Sequence, residues 1–559
     1  MPLTRLQRWL LAAIPLIFLG LFFIYPVLAI FNISLFPEGR FDAASLRVLW
    51  EKPYYLRVVW FTFWQAGLST LGALVLGLPA AYLFAKFRFP GKMLLRALVT
   101  LPFVMPTVVV AVAFLALIGP RGLLNQWLMA ALGLSQPPIN LLHTIWIILL
   151  AHVFYNTSVI IRIVGGFWAN LDPLLEAAAA VLGAGPWSRA RHITLPLLFP
   201  AILAASLLAY LFNFTSFGVI LILGGPKFAT IEVEIYRTAV RLFNLPVAAA
   251  LSILQMGFTL AMMVVYTHLQ QRMTIPVQFQ PAQRTQRPLR TVGEKSMALG
   301  IFLVLGVFLL SPLAALVIQS FRTPDGPGLV YYQALFVNRT GSIFFVTPIE
   351  AARNSLAFAM ATVLFAVAMA LPSAYLLSEP HRGRFSLARL LDPLFMLPLG
   401  TSAVTLGFGY IVALNRPPLN LRTSLIIVPI AHTLIAFPFV LRSILPVLRG
   451  MHPHLREAAR VLGASTARVL RYIDLPMLWR SLLVGGVFAF TISMGEFSAS
   501  LLVTRPQFPT LPVAIYRLLG QPGRLNFGQA LAMSVILMAV TAVGYMVIEN
   551  LRYGDIEEF

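Results

Sequence analysis

Residues able to do covalent or metal chemistry are scarce in this 559-residue chain. It has no cysteine, which excludes disulfides, zinc–thiolate sites and thiol catalysis. Its eight histidines are scattered, with no HExxH-type ligand spacing. No GxxxxGK[ST] stretch is present, so the chain lacks a phosphate-cradling loop and cannot hydrolyse ATP alone. Glu496, within Ser493-Met494-Gly495-Glu496-Phe497, stands in an otherwise apolar stretch. A carboxylate inside a membrane is expensive and faces a cavity or a partner. Two readings of Glu496 stay open: a residue of a translocation path or gate, with Ser216 as its counterpart, or a structural carboxylate bonded to a neighbouring helix or placed near the outer interface. His152 and His432 occupy equivalent places and read as packing rather than ligation. Arg162 and Arg442 are similarly paired and read as snorkelling helix ends.

The elements that must position these residues are set by composition. The chain is 59% hydrophobic and 11% charged, with mean hydropathy +0.85. Soluble domains are nearer half apolar and a quarter charged, so the apolar excess faces lipid. Spanning segments are predicted near 10–35, 58–85, 95–118, 142–165, 196–223, 246–268, 296–320, 354–378, 389–414, 424–446, 480–503 and 527–548, about twelve helices in all. The apolar run from Trp9 to about Leu35 is too long for a signal-peptide core and reads as an anchored first helix. The net charge of +22 could indicate nucleic-acid binding. Its distribution indicates membrane topology instead: Lys86, Arg88, Lys92 and Arg96 crowd one short loop, and Arg382, Arg384 and Arg389 crowd its counterpart. The positive-inside rule then places both loops and both termini in the cytoplasm, with no nucleic acid among the partners.

The chain is internally duplicated. Shifted by 280 residues, it matches itself without a gap from Ala151 to Leu251. Ala151-His152 matches Ala431-His432, Val181-Leu182-Gly183-Ala184 matches Val461-Leu462-Gly463-Ala464, and Ile235-Tyr236-Arg237 matches Ile515-Tyr516-Arg517. Each copy holds six spans, an even number, so both copies enter and leave on the same side. The expected architecture is an all-α polytopic membrane protein of two tandem six-helix halves related by a parallel pseudo-two-fold. The halves are placed at 1–270 and 296–559. Residues 271–295, rich in Gln, Pro and Arg, form a solvated cytoplasmic linker. Such a pair most simply encloses one pathway between its halves.

The loop between the fourth and fifth spans occurs in both copies, Leu171–Leu198 and Met451–Leu478. Pro173 and Pro453 suit a first helical turn, and Asp172 can cap it. An Ala-rich helix follows, and Gly183 and Gly463 stop it. A second short helix is predicted from Pro186 or Ser465, ending at Leu195-Pro196 and Leu475-Pro476.

Here a family resemblance becomes specific. Glu457-Ala458-Ala459, three residues, Gly463, nine residues, then Ile473-x-Leu475-Pro476 resembles the EAA loop of type I ABC importer permeases. The first copy departs from it. Aligned through Gly183, the glutamate position holds Ala177, followed by Ala178, while Glu176 sits one place early and Leu195-Pro196 closes the pattern. In that family the loop is the coupling helix that docks on the nucleotide-binding subunit. The resemblance therefore implies that role for Glu176, Ala177, Ala178, Gly183, Leu195 and Pro196, and for Glu457, Ala458, Ala459, Gly463, Leu475 and Pro476. It also implies separate ATPase subunits, two copies with one per loop, that bind the ATP; no cofactor in this chain; an extracytoplasmic solute-binding protein; and a prokaryotic inner-membrane location. Fused permeases of this length look like the thiamine and ferric-iron subgroup. Leu149-Leu150-Ala151-His152-Val153-Phe154-Tyr155-Asn156 resembles the thiamine permease, as does Leu223-Gly224-Gly225-Pro226 followed by Ala229-Thr230-Ile231-Glu232-Val233-Glu234-Ile235-Tyr236. Ferric-iron permeases share much of this second stretch, so the resemblance implies thiamine, its phosphates or ferric iron as the solute. A secondary transporter with two parallel six-helix halves is the competing function; it would more often show several intramembrane charges for ion coupling. A membrane enzyme is remote, for want of a metal cluster, a nucleophile constellation or paired carboxylates.

Overall fold

Long apolar runs with few breakers form helices because lipid offers the backbone no hydrogen-bond partner. The computed structural model describes residues 5–272, 286–337, 346–378, 387–415, 417 and 419–553. Among these, eleven helices are long and apolar enough to cross a membrane, and a twelfth crossing is made if one bent pair counts as a single span. The chain is an all-α polytopic membrane protein, with two-residue β pairs as its only strands among the described residues.

Several predicted spans are interrupted. The 389–414 segment is two helices, Leu391–Gly400 and Ala403–Ala413, bent by 97°. Pro398 and Gly400 end the first, and Ser402 restarts the second by accepting the Thr405 amide at 3.0 Å. The 95–118 segment breaks at Met105, which Pro106 holds extended at φ −68°, ψ 136°. The fifth and eleventh spans stop at Phe214 and Gly495, and short helices Gly218–Leu223 and Ser498–Val503 follow.

The second short helix of each loop does not end at its Leu-Pro pair. Pro186–Arg189 runs through a π-turn, Ala190–Thr194, directly into Leu195–Phe214. Thr466–Val469 does the same through Leu470–Asp474 into Leu475–Gly495. The extra residue of a π-turn lets the chain pass a proline, which can neither donate to the ladder nor sit against the carbonyl one turn back. Leu195 donates to Ala190 O and Leu475 to Leu470 O, each five residues earlier.

The described chain forms two compact units. One contains residues 1–47, 235–253 and 329–559; the other contains 48–234 and 254–328. In the first, the run Arg5–Leu35 packs on Pro348–Ser378 and Ala403–Ala413, over a core that includes Phe395, Phe437 and Tyr410. In the second, Val292–Phe321 packs on Thr107–Ile118, and Gln319 Nε2 donates to Ala116 O at 2.8 Å. The first span of each repeat therefore belongs to the unit built from the other repeat. Small residues carry an extensive helix crossing in the second unit, Pro53–Lys86 against Ile145–Ala169. A Cβ on Gly77 would stand 2.7 Å from Ile160 side-chain atoms.

Residues 273–285 of the predicted linker, and Arg382 and Arg384, lie outside the described residues. The linker's end is ordered by pairing. Arg287-Pro288 pairs in parallel with Phe87-Arg88, and a capping box between Thr291 and Glu294 starts the next helix at Val292.

Candidate functional site

Each duplicated loop is a helix closed by a left-handed glycine. In the first, Asp172 accepts the Leu174 amide at 2.9 Å, and the helix runs Pro173–Val181. Gly183 has φ +85°; its amide bonds Ala180 O at 3.0 Å, and the Ala184 amide bonds Ala179 O at 2.9 Å. In the second, the helix runs Pro453–Val461, Gly463 has φ +81°, and the matching bonds to Arg460 O and Ala459 O measure 2.9 and 3.0 Å. This double closure satisfies the last carbonyls and needs a residue without a Cβ penalty at positive φ. The glycine of the motif is thus fixed by backbone geometry.

The closure throws two apolar side chains outward. Val181 and Leu182 are 88% and 87% exposed, and Val461 and Leu462 are 87% and 86% exposed. Ala177, Ala178 and Ala458 are exposed beside them, and Ala459 is half-buried. Leu195, Pro196 and Pro476 are exposed and Leu475 half-buried, all on the helices that continue from the loops.

The two glutamates point to different surroundings. The Glu457 side chain is 64% exposed, and His454 Nδ1 on the same helix lies 3.2 Å from its Oε2. Glu176 turns inward: Lys86 Nζ and Thr194 Oγ1 each donate to its carboxylate at 2.8 Å. Burial pushes the Glu176 carboxyl up, but the Lys86 and Thr194 bonds outweigh burial and hold it below the usual carboxylate range. Glu176 is therefore not placed as a displaced copy of Glu457.

Glu496 lies just past the end of Leu475–Gly495 and is buried. Its two oxygens accept the Ala499 and Ser500 amides, both at 2.8 Å, so it caps the short helix Ser498–Val503. His432 Nε2 lies 3.4 Å from Glu496 Oε2 and 2.8 Å from Ser500 Oγ, while Nδ1 is 2.7 Å from Ser493 Oγ. In the other copy, His152 Nε2 meets Ser216 Oγ at 2.8 Å and Nδ1 meets Ser69 Oγ at 3.1 Å. The two pairs singled out separately in the sequence are thus neighbours, 64 residues apart along the chain in both copies. That shared spacing was the available signal, but nothing in it required contact. Arg162 lies over the Phe103 ring at 5.8 Å, and Arg442 lies 3.3 Å from Asp392; both arginines are exposed. Among the described residues no group of three or more His, Asp or Glu is placed to hold a metal ion.

Comparison with known proteins also finds two copies. Residues 73–275 and 351–552 each match the family described as binding-protein-dependent transport system inner membrane component. The chain is 27% identical over 498 residues to the thiamine transport system permease protein ThiP of Salmonella typhimurium, covering 88% of this chain and 89% of that protein. It is 27% identical over 509 residues to ThiP of Escherichia coli, covering 90% of each. It is 25% identical over 557 residues to a probable ABC transporter permease protein, y4fN, of Sinorhizobium fredii, covering 96% and 95%. A solved bacterial ABC transporter involved in the import of the acidic polysaccharide alginate matches with TM-score 0.41 and 21% identity, over 48% of this chain and 97% of that one. With the family domain present twice and accounting for most of its length, the chain belongs to the binding-protein-dependent transport system inner membrane components, as a fused two-domain permease of an ABC importer.

Proposed function

We propose that this permease imports thiamine or a thiamine phosphate, delivered by an extracytoplasmic binding protein and driven by two copies of a separate ATPase. The observation that carries the coupling part is the pair of exposed Val-Leu tips, Val181-Leu182 and Val461-Leu462, held on loops of the same backbone geometry. Large side chains this exposed at a rigid turn are what a partner's pocket takes up. One ATPase per loop accounts for their duplication. Glu457, with Ala458 and Gly463, forms the better-matched docking loop, and Ala177, Ala178 and Gly183 form its counterpart. ATP binds in the partner subunits, because this chain has no phosphate-cradling loop. The termini and both loops lie in the cytoplasm on the charge distribution. The substrate reading rests on the names of the relatives and on the stretches 149–156, 223–226 and 229–236.

The test is uptake by proteoliposomes holding the permease, its ATPase and its binding protein. Labelled thiamine should accumulate on ATP addition, with unlabelled thiamine competing and ferric iron not. Accumulation of ferric iron instead would overturn the substrate. Uptake driven by an ion gradient without ATP would favour a secondary transporter.

A further inference from the structure

The residue one place before the motif's glutamate position is the least alike of the loop's residues in charge. It is Glu176 in one copy and Arg456 in the other. Both nevertheless make the same connection. Arg456 Nε donates to Asp474 Oδ1 at 2.8 Å, and Asp474 occupies the π-turn position equivalent to Thr194. Tyr375 OH donates to the other Asp474 oxygen at 2.8 Å, and the Arg456 guanidinium lies 5.8 Å from the Tyr375 ring centroid. Tyr375 sits in the last turn of Pro348–Ser378, the counterpart of the helix Pro53–Lys86 that ends in Lys86.

Each cluster has three members: one on the loop helix, one on the π-turn before the following span, and one on the end of an earlier membrane helix. In the first copy the carboxylate is on the loop helix, at Glu176, and Thr194 and Lys86 donate to it. In the second the carboxylate has moved to the π-turn, at Asp474, and Arg456 and Tyr375 donate. Asp474 and Thr194 are buried, at 4% and 8% exposure, so these are not solvated surface pairs worth little. Donor and acceptor have changed places while the connection is kept.

We propose that Glu176 and Arg456 are positioning residues that clamp each loop helix to two membrane helices, so that displacement of the loop is transmitted into the bundle. The clamp rests on the coupling-loop reading above only for its consequence in transport; its geometric part stands alone. Because the carboxylate sits on the loop helix in one copy and on the π-turn in the other, each clamp can be broken by reversing the loop-helix charge and rebuilt by also placing the opposite charge on the π-turn.

The experiment uses the full-length permease in nanodiscs, with hydrogen–deuterium exchange read over residues 453–462, and then the complete complex, with binding-protein-stimulated ATP hydrolysis read. Arg456→Glu, which sets two carboxylates together, should raise exchange and lower stimulated hydrolysis, each about tenfold. Arg456→Glu combined with Asp474→Arg should bring both back to within about threefold of the parent. In the first copy, Glu176→Arg should loosen residues 173–182, and adding Thr194→Asp should tighten them again. Unchanged exchange in Arg456→Glu, or a reversed pair as loose as the single variant, would overturn the clamp. Should Arg456→Glu fail to fold, Arg456→Gln and Arg456→Lys carry the same test, with exchange raised in the first and near the parent in the second; equal exchange in both would overturn it. Exchange that rises and is rescued while stimulated hydrolysis stays at the parent level would uphold the clamp and overturn the coupling reading.

Discussion

His432 Nε2 lies 3.4 Å from the Glu496 carboxylate, and the equivalent nitrogen of His152 lies 2.8 Å from the Ser216 hydroxyl. The duplication thus preserved a buried histidine facing the break between Leu475–Gly495 and the short helix after it, and changed what the histidine meets. In the second copy the acceptor also caps that short helix through the Ala499 and Ser500 amides. In the first copy the position equivalent to Glu496 is Ser216, whose hydroxyl meets His152.

Glu496 is accordingly expected to act on stability first. Glu496→Ala strands two buried amides, each costing about 1–3 kcal/mol. The apparent melting temperature of the purified permease should fall by about 2–5 °C. Glu496→Gln keeps one acceptor oxygen and should fall less. Heating followed by size-exclusion chromatography reads both. A Glu496→Ala variant that melts like the parent but transports a changed range of solutes would instead place this residue on the pathway.

The motif glycine makes a sharper prediction. Nothing lies within 4 Å of a Cβ added at Gly463, so Gly463→Ala is opposed by its φ of +81° and not by crowding. A left-handed alanine costs about 1 kcal/mol, which should speed exchange at the Ala464 amide about fivefold. Asparagine tolerates this conformation better, so Gly463→Asn should lie between the parent and Gly463→Ala. The same order is expected at Gly183, whose φ is +85°. Equal exchange in the alanine and asparagine variants would mean that the turn is not held left-handed.

Much of this was legible because it is local. The 280-residue register located both loops, and Pro173, Asp172 and Gly183 act where the sequence placed them, since caps and stops depend on residues within one turn. Breaks inside apolar runs were less legible. Pro102, Pro106, Pro393 and Pro398 were all visible, but a proline in a membrane helix either kinks it or is absorbed, and neighbouring helices decide which. The π-turns before Pro196 and Pro476 show absorption; the 97° bend at Gly400–Ala403 shows the opposite. Contacts across long separations were not legible at all. Glu176 and Thr194, or Arg456 and Asp474, can be paired from a single sequence only after the fold brings the π-turn under the loop helix. The misplacement of Glu176 relative to the motif was visible, yet its inward direction was not.

Glu457 and Glu176 should therefore separate in experiment. Glu457 is largely exposed, so Glu457→Ala should leave permease stability within about 0.5 kcal/mol of the parent. It should weaken retention of the ATPase on immobilised permease instead. Glu176→Ala removes the shared acceptor of Lys86 and Thr194 and should lower stability by about 1–3 kcal/mol. Because the folded Glu176 carboxyl is held below its unfolded value, its contribution is present above the ordinary carboxylate range and is lost as pH falls through the folded value. Acid should therefore loosen residues 173–182 in the parent and change little in Glu176→Ala. An acid response identical in both would reject this.

Lys92 gives the last prediction, on the basic side. Its ammonium donates to Phe84 O and Phe87 O, both at 2.7 Å, closing the turn where Phe87-Arg88 pairs with Arg287-Pro288. Burial, with Arg96 and Arg88 nearby, lowers it from the usual 10.5 to about 8. The folded chain then binds fewer protons here than the unfolded chain between about pH 8 and pH 10.5, so the junction gains stability as pH rises through that window. Acetylation of Lys92, followed by peptide mass spectrometry against pH, should show a midpoint near 8, well below the ordinary lysine value of about 10.4. Lys92→Met removes both the charge and the two bonds. It should free exchange at residues 87–89 at every pH, and that exchange should lose its dependence on this window. A Lys92 midpoint at the ordinary lysine value would show that the junction is open to solvent.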